Sequence, residues 1–139
     1  MDERLLQIRD YQGEGFQPLV HFGAWRVAIL RSREDTRAAG ATKLERHMQT
    51  DEVFVLIAGQ AVLLIAGDGQ QVEAIRPEPM EPGKLYNVRQ AVWHGVLLSR
   101  DASILIVENR DTAVENSQYS PLTAAQRGLI LDIEKRSAI

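Results

Sequence analysis

Six consecutive apolar residues, Val53 to Ala58, lie between a carboxylate, Glu52, and a glycine, Gly59. A run this short, closed by a turn residue, reads as a β-strand buried on both faces. A second almost wholly apolar stretch follows, Gln60 to Ala66, with Gly59 as a tight turn or bulge between the two. One face of such a pair can fill a barrel. The other must be covered by a second sheet, a C-terminal helix or a partner subunit, and a homodimer is the expectation. The acid adds a second constraint. A carboxylate at the mouth of a buried strand is costly unless something pairs with it or binds it.

The chain offers more strands. Phe16–Phe22 is interrupted by Pro18 and is at best an edge strand. Ala24–Leu30, Ala41–Met48, Val72–Ile75, Leu85–Val88, Ala91–Ser99 and Ser103–Asn109 are further candidates. Gly67-Asp68-Gly69-Gln70 is a hairpin signal leading into the 72–75 segment, while Pro77, Pro79, Pro82 and Gly83 punctuate a loop. Many short strands at this spacing indicate an all-β sandwich or barrel. In the tail, Thr123-Ala124-Ala125-Gln126 matches a capping box. Leu129, Ile130 and Ile133 then form a narrow apolar stripe, and Asp132 can pair with Arg136. A helix is expected from about 124 to 136, packed on the barrel or a neighbour. With 139 residues, a single domain is expected, its barrel over about 16–110 and its tail and helix over about 111–139. Asn109, Asn116 and Tyr119 are expected to satisfy backbone groups in an irregular stretch.

Strand parity gathers the polar residues. Glu45 and His47 are two apart, so both can point into one cavity. Glu52 opens the next strand. Farther on, Val92, His94, Val96 and Leu98 share one face and Trp93 takes the other. An imidazole among apolar neighbours needs a partner, which a carboxylate or a metal would supply. Glu45, His47, Glu52 and His94 are thus the ingredients of an oxygen- and nitrogen-ligated metal site. The alternative is that His47 and Glu52 merely pair, with Glu45 exposed at a strand start. Asp51 reads as a turn residue, His21 as surface or structural, and Trp25 and Trp93 as core or interface packing. Tyr86, Arg46 and Arg89 are candidates for the cavity mouth.

These residues also carry a family resemblance. The first cupin motif is G-x5-H-x-H-x3-4-E-x6-G, and Glu45-x-His47-x4-Glu52-x6-Gly59 fits its second half without a gap. The second is G-x5-P-x-G-x2-H-x3-N, and Gly83-x5-Arg89-x-Ala91-x2-His94 keeps its first glycine and its histidine. Over residues 40–109 the chain therefore resembles a small single-domain cupin. The departures are Glu45 for the first histidine, Arg89 and Ala91 for the proline and glycine, and Leu98 for the final asparagine. The resemblance implies a cupin-type double-stranded β-helix, or jelly-roll, with a short C-terminal helix. It also implies divalent-metal ligation by His47, Glu52 and His94, with Glu45 as a carboxylate ligand in place of an imidazole. Two nitrogens and up to two carboxylates suit Fe(II), Mn(II), Ni(II) or Zn(II). If Glu45 is not a ligand, it is the natural general base beside the metal.

Other chemistries are excluded or weak. With no cysteine there is no disulfide, thiolate site or cysteine nucleophile. Net charge is -3, and the densest basic stretch, Arg31, Arg33 and Arg37, is broken by Glu34 and Asp35. It reads as a solvated loop, so no nucleic-acid partner is expected. No apolar run is long enough to span a bilayer and no segment resembles a signal peptide, so no membrane partner and a cytoplasmic location are expected. There is no phosphate-binding glycine loop and no G-x-S-x-G. The expected function is a metal-dependent isomerase, lyase or oxygenase acting on a small organic acid or sugar. A non-enzymatic small-molecule binding or sensor barrel, with or without metal, is the alternative.

Overall fold

Alternation between inward and outward residues organises ten strands into two facing antiparallel sheets. The computed structural model describes residues 1–139. Its strands are β1 (Gly15–Phe22), β2 (Trp25–Arg31), β3 (Lys43–His47), β4 (Glu52–Ala58), β5 (Ala61–Ile65), β6 (Arg76–Pro79), β7 (Tyr86–Val88), β8 (His94–Leu98), β9 (Ser103–Asn109) and β10 (Ser117–Pro121). One helix, α1 (Ala124–Ser137), ends the chain. The first sheet runs β1-β2-β9-β4-β7 and the second β10-β3-β8-β5-β6. This is a jelly-roll.

Register turns the sequence pattern into layers. Ala28, Ile106, Phe54 and Tyr86 lie in one row across the first sheet, and Leu30, Ile104 and Leu56 in the next. Leu63, Leu98, Val92 and Val96 meet them from the second sheet, closing one core between the layers. The outer face of the second sheet is equally apolar. Val62, Leu64, Trp93 and Leu97 pack there against Ile130 and Ile133 of α1. The C-terminal helix is thus what covers the second face of β5. Its capping box forms as expected, with the Thr123 hydroxyl accepting from the Gln126 N–H and the Gln126 side chain accepting from the Thr123 N–H. Asp132 and Arg136 pair across its exposed side. No helix is long and apolar enough to cross a membrane.

Three expectations are corrected. The strand after the 67–70 turn is not Val72–Ile75 but Arg76–Pro79, prolines included. Met80 donates to the Ala61 carbonyl, so the antiparallel alternation turns the Pro77 and Pro79 nitrogens away from β5. Since β6 is the sheet edge, those nitrogens lose no ladder bond. Second, the stretch holding Tyr119 is not irregular. Ser117–Pro121 pairs with β3, so the sheets continue past residue 110. It has no apolar alternation because one side faces a polar cavity and the other a buried arginine. Third, of the two expectations for Trp25, core or interface packing, the core one fails: it is 43% exposed, with its ring tilted 48° to that of Phe22 at 6.3 Å.

Gly59 (φ 71°) carries the chain from one sheet to the other, where a Cβ would meet the Ala102 backbone at 2.6 Å. Ala91, where the cupin pattern has glycine, sits at φ 65° in the turn before β8, donating to the His47 carbonyl at 2.8 Å. Left-handed backbone costs an L-residue roughly 1–2 kcal/mol, against about 0.5–1 kcal/mol of extra chain entropy for glycine. Ala91→Gly is therefore expected to stabilise the protein by about 0.5–1 kcal/mol, read as a higher urea midpoint at unchanged slope. A lower midpoint would show that the turn is not strained.

Candidate metal centre

One row of the layered core is polar. Arg26 pairs in register with Glu108, and Glu108 leads on to Glu52, one step beyond the Val53–Val107 pair. From the facing sheet come His47, opposite Ser117, and Glu45, opposite both His94 and Tyr119. The parity that buries Leu44 sends Lys43, Glu45 and His47 to the other side, into a cavity of about 440 Å³. Its floor includes Phe54 and Ile106 of the apolar core, and its rim includes Lys43 and Tyr119.

The four residues singled out in the sequence meet here. Glu52 Oε1 lies 2.9 Å from His94 Nε2 and 3.3 Å from His47 Nε2. Glu45 Oε1 lies 3.9 Å and 3.8 Å from the same two nitrogens. Both rings are oriented from behind. His94 Nδ1 lies 2.9 Å from the Val92 carbonyl, which can only accept, so that nitrogen carries a proton. His47 Nδ1 lies 2.8 Å from the Ser117 hydroxyl. Neutral His94 therefore presents its Nε2 lone pair toward the carboxylates, the orientation a metal ligand needs, and His47 does the same when its Nδ1 donates to Ser117. Donor atoms bound to one ion at about 2.1 Å lie roughly 3.0–3.4 Å apart in octahedral or tetrahedral arrangements. The distances from Glu52 to the two imidazoles are close to that spacing, and those from Glu45 stand slightly outside it. The donor set fits a divalent cation.

The electrostatics explain how the cluster persists without one. Burial works against the Glu52 charge, but hydrogen bonds from His47 and His94 outweigh it and hold the carboxyl well below its ordinary range. Burial likewise pulls His94 down, yet its bond to Glu52 and that carboxylate's charge raise it to about 9. His47 is raised by the same contest.

Glu108 went unnoticed in the sequence. Its side chain is 2% exposed, and burial together with the charge of Glu52 pushes its pKa up to about 7, against the pull of Arg26. Arg26 Nη2 and Nε both donate to Oε2, at 2.6 and 3.0 Å, and Oε1 is buried with no hydrogen-bond partner. Period-2 counting from Ile104 and Ile106 points to Glu108, as counting from Leu30 and Ala28 points to Arg26. The mouth candidates fall elsewhere. Arg46 lies behind β3 over the Trp93 ring, bonded to Gln118 and the Gly69 carbonyl. Arg89 pairs with Asp51 at the surface, and Tyr86 packs on the core with its hydroxyl bound by the Glu81 N–H. Asp51 holds the 87–90 turn, accepting from Asn87 and the Gln90 N–H. His21 is exposed.

No protein-family model and no curated protein matches the chain. Solved structures do. A cupin-2 domain protein from Shewanella frigidimarina is similar at a TM-score of 0.51 and 16% identity, over 73% of this chain and 85% of that one. The chain has the cupin fold. KdgF from a Halomonas species gives 0.52 at 15% identity, over 74% and 89% of the two chains. A Streptomyces PAC13 variant solved with uridine gives 0.54 at 8% identity, over 86% and 95%. At such identities the likeness carries the fold alone, and what this protein does must come from its own residues.

The metal-free state has a signature. A histidine whose folded pKa lies near 9, above its ordinary 6.5, stabilises fully below pH 6.5 and loses that contribution as pH rises through 9. Glu108, raised to about 7, acts in the same sense from its ordinary 4.5 upward. In chelator, stability is expected to fall between pH 6 and 9.5, and Glu52→Gln to flatten the fall. Denaturant midpoints across that range measure it, and a flat wild-type profile would contradict the ion-paired cluster.

Proposed function

We propose that this cupin is a divalent-metal-dependent enzyme acting on a small polar metabolite, an organic acid in preference to a sugar. The observation that supports the reading is the convergence of four donors at one end of a cavity. Nε2 of His47 and of His94 lie 2.9–3.9 Å from Oε1 of Glu52 and of Glu45. His47, Glu52 and His94 would hold the ion, which when bound supplies Lewis acidity toward a carbonyl or hydroxyl oxygen. Glu45 is 40% exposed on the cavity side, against 7% for Glu52, so it takes the role of general base facing substrate. Lys43 supports the acid preference. Of the three cations lining the cavity, Arg26 is engaged by Glu108 and Arg33 by Asp35. Lys43 has no ion pair, and its Nζ stands 4.6 Å from the centre of the Tyr119 ring, free to meet a substrate carboxylate. The competing reading, a binding or sensor barrel without metal, draws support from Glu52 being already paired to both imidazoles.

Protein purified without chelator is expected to carry close to one Fe, Mn, Ni or Zn per chain by elemental analysis, and His47→Ala/His94→Ala none. The loaded protein is expected to turn over a member of a panel of hydroxy and keto acids, with Glu45→Gln lowering kcat by about 10²–10⁴-fold at retained metal. No metal after incubation with each of the four ions would overturn the reading. Bound metal without turnover would favour the binding barrel.

We also infer a homodimer through the outer face of the first sheet. Val20, Val27, Ile29, Val53, Val55, Leu105 and Val107 are half-buried there and belong to neither core. An antiparallel sheet facing water carries polar residues on that side. A second copy, presenting the same patch about a two-fold axis, would cover it. Sedimentation is expected to give the two-chain mass and Val55→Lys/Leu105→Lys the one-chain mass. A monomeric wild type would exclude the dimer.

A further inference from the structure

Resting on the metal reading above, we propose that Glu108 is itself a ligand of the ion, the fourth protein donor beside His47, Glu52 and His94. Four observations converge. One ligand atom each from Glu108, Glu52 and His47 fall within 4.8 Å of one another, and all three residues are buried. Oε1 of Glu108 has no partner, although it is buried. An unpaired carboxylate oxygen beside a second carboxylate is costly, and a cation between the two removes the cost. The other oxygen is fixed. Arg26 grips Oε2 with two nitrogens while its guanidinium also donates to the carbonyls of Arg110 and Thr112, so Oε1 cannot turn away toward solvent. Finally, once both imidazoles are neutral, as metal ligands must be, an ion balances the charge. Glu45, Glu52 and Glu108 give three negative charges and Arg26 one positive, leaving two negative charges that a divalent cation cancels when both imidazoles are neutral.

The assignment divides three carboxylates by exposure. Glu52 and Glu108, with side chains 7% and 2% exposed, hold the ion from the first sheet, and Glu45, 40% exposed, is left free on the substrate side. Arg26 becomes a positioning residue that points one oxygen of Glu108 at the metal. The added carboxylate shifts the preference toward Mn(II) or Fe(II) and away from the softer ions.

The test is Co(II) binding by the intact protein, wild type against Glu108→Gln, read by competition titration and by the visible d–d spectrum. Glu108→Gln keeps an oxygen for Arg26 and relieves the repulsion with Glu52, so its melting temperature in chelator is expected to equal or exceed wild type. Its Co(II) affinity is expected to fall at least about tenfold, with a changed spectrum reporting a changed ligand set. Should Glu108→Gln fail to fold, Glu108→Asp keeps the charge but draws the oxygens back, and the same weakening and spectral change are expected of it. A folded variant that binds Co(II) as tightly as wild type, with the same spectrum, overturns the Glu108 assignment and leaves the metal reading standing. A wild type that binds no Co(II) overturns both.

Discussion

The arrangement depends on one buried carboxylate. Glu52 is 5% exposed at the head of the strand that fills the barrel, and an unpaired charge there would cost several kcal/mol. The strand cannot shift to release it. A one-residue slip would send Phe54 and Leu56 outward and bring Val53 and Val55 in, inverting every row of the first sheet. The chain must therefore deliver compensating groups to a fixed point. It does so from β3 and β8, which bring two imidazoles within 3.3 Å of one oxygen. Everything polar at this end of the barrel is arranged around that demand.

The same logic explains why the polar row stops where it does. One step inward the rows are Ala28, Ile106, Phe54 and Tyr86, then Leu30, Ile104 and Leu56. A low-dielectric floor strengthens the interactions above it and gives the carboxylate cluster no water from below. Three of the clustered side chains are held by a group outside their own strand. Ser117 sets the His47 ring, the Val92 carbonyl sets His94, and Arg26 sets Glu108. Rigid strands carrying such supported side chains hold a constellation more precisely than loops do.

Much of this was legible in the residues. Apolar runs and turn residues pointed to an all-β barrel, and parity placed His94 with Val92, Val96 and Leu98 on one face. The spacing of Glu45, His47 and Glu52 carried three of the four clustered side chains. What escaped notice has physical reasons. β10 contains Ser, Gln, Tyr, Ser and Pro, because it borders a wet cavity on one side and Arg46 on the other, so it lacks the apolar alternation that marks a strand. β6 carries two prolines because an edge strand bonds a neighbour through alternate residues only. Arg46 shows the limit of reading parity near a strand end. It sits one residue from His47 and so points to the opposite face, where it stacks on Trp93 instead of lining the mouth.

Glu108 and Arg26 were missed for a different reason. Each continues a clear inward alternation, but a lone charged residue at the end of an apolar strand looks like the point where the strand leaves the core. Only cross-strand register shows that three such ends coincide: Arg26, Glu108 and Glu52 lie side by side on three neighbouring strands. Charges stacked in one row cannot be independent surface choices, since two buried carboxylates in contact repel unless a proton, a guanidinium or a metal ion comes between them. Arg26 reaches only one oxygen of Glu108 and stands on the side away from Glu52. The proposed cation would lie between the two carboxylates, with His47 facing it.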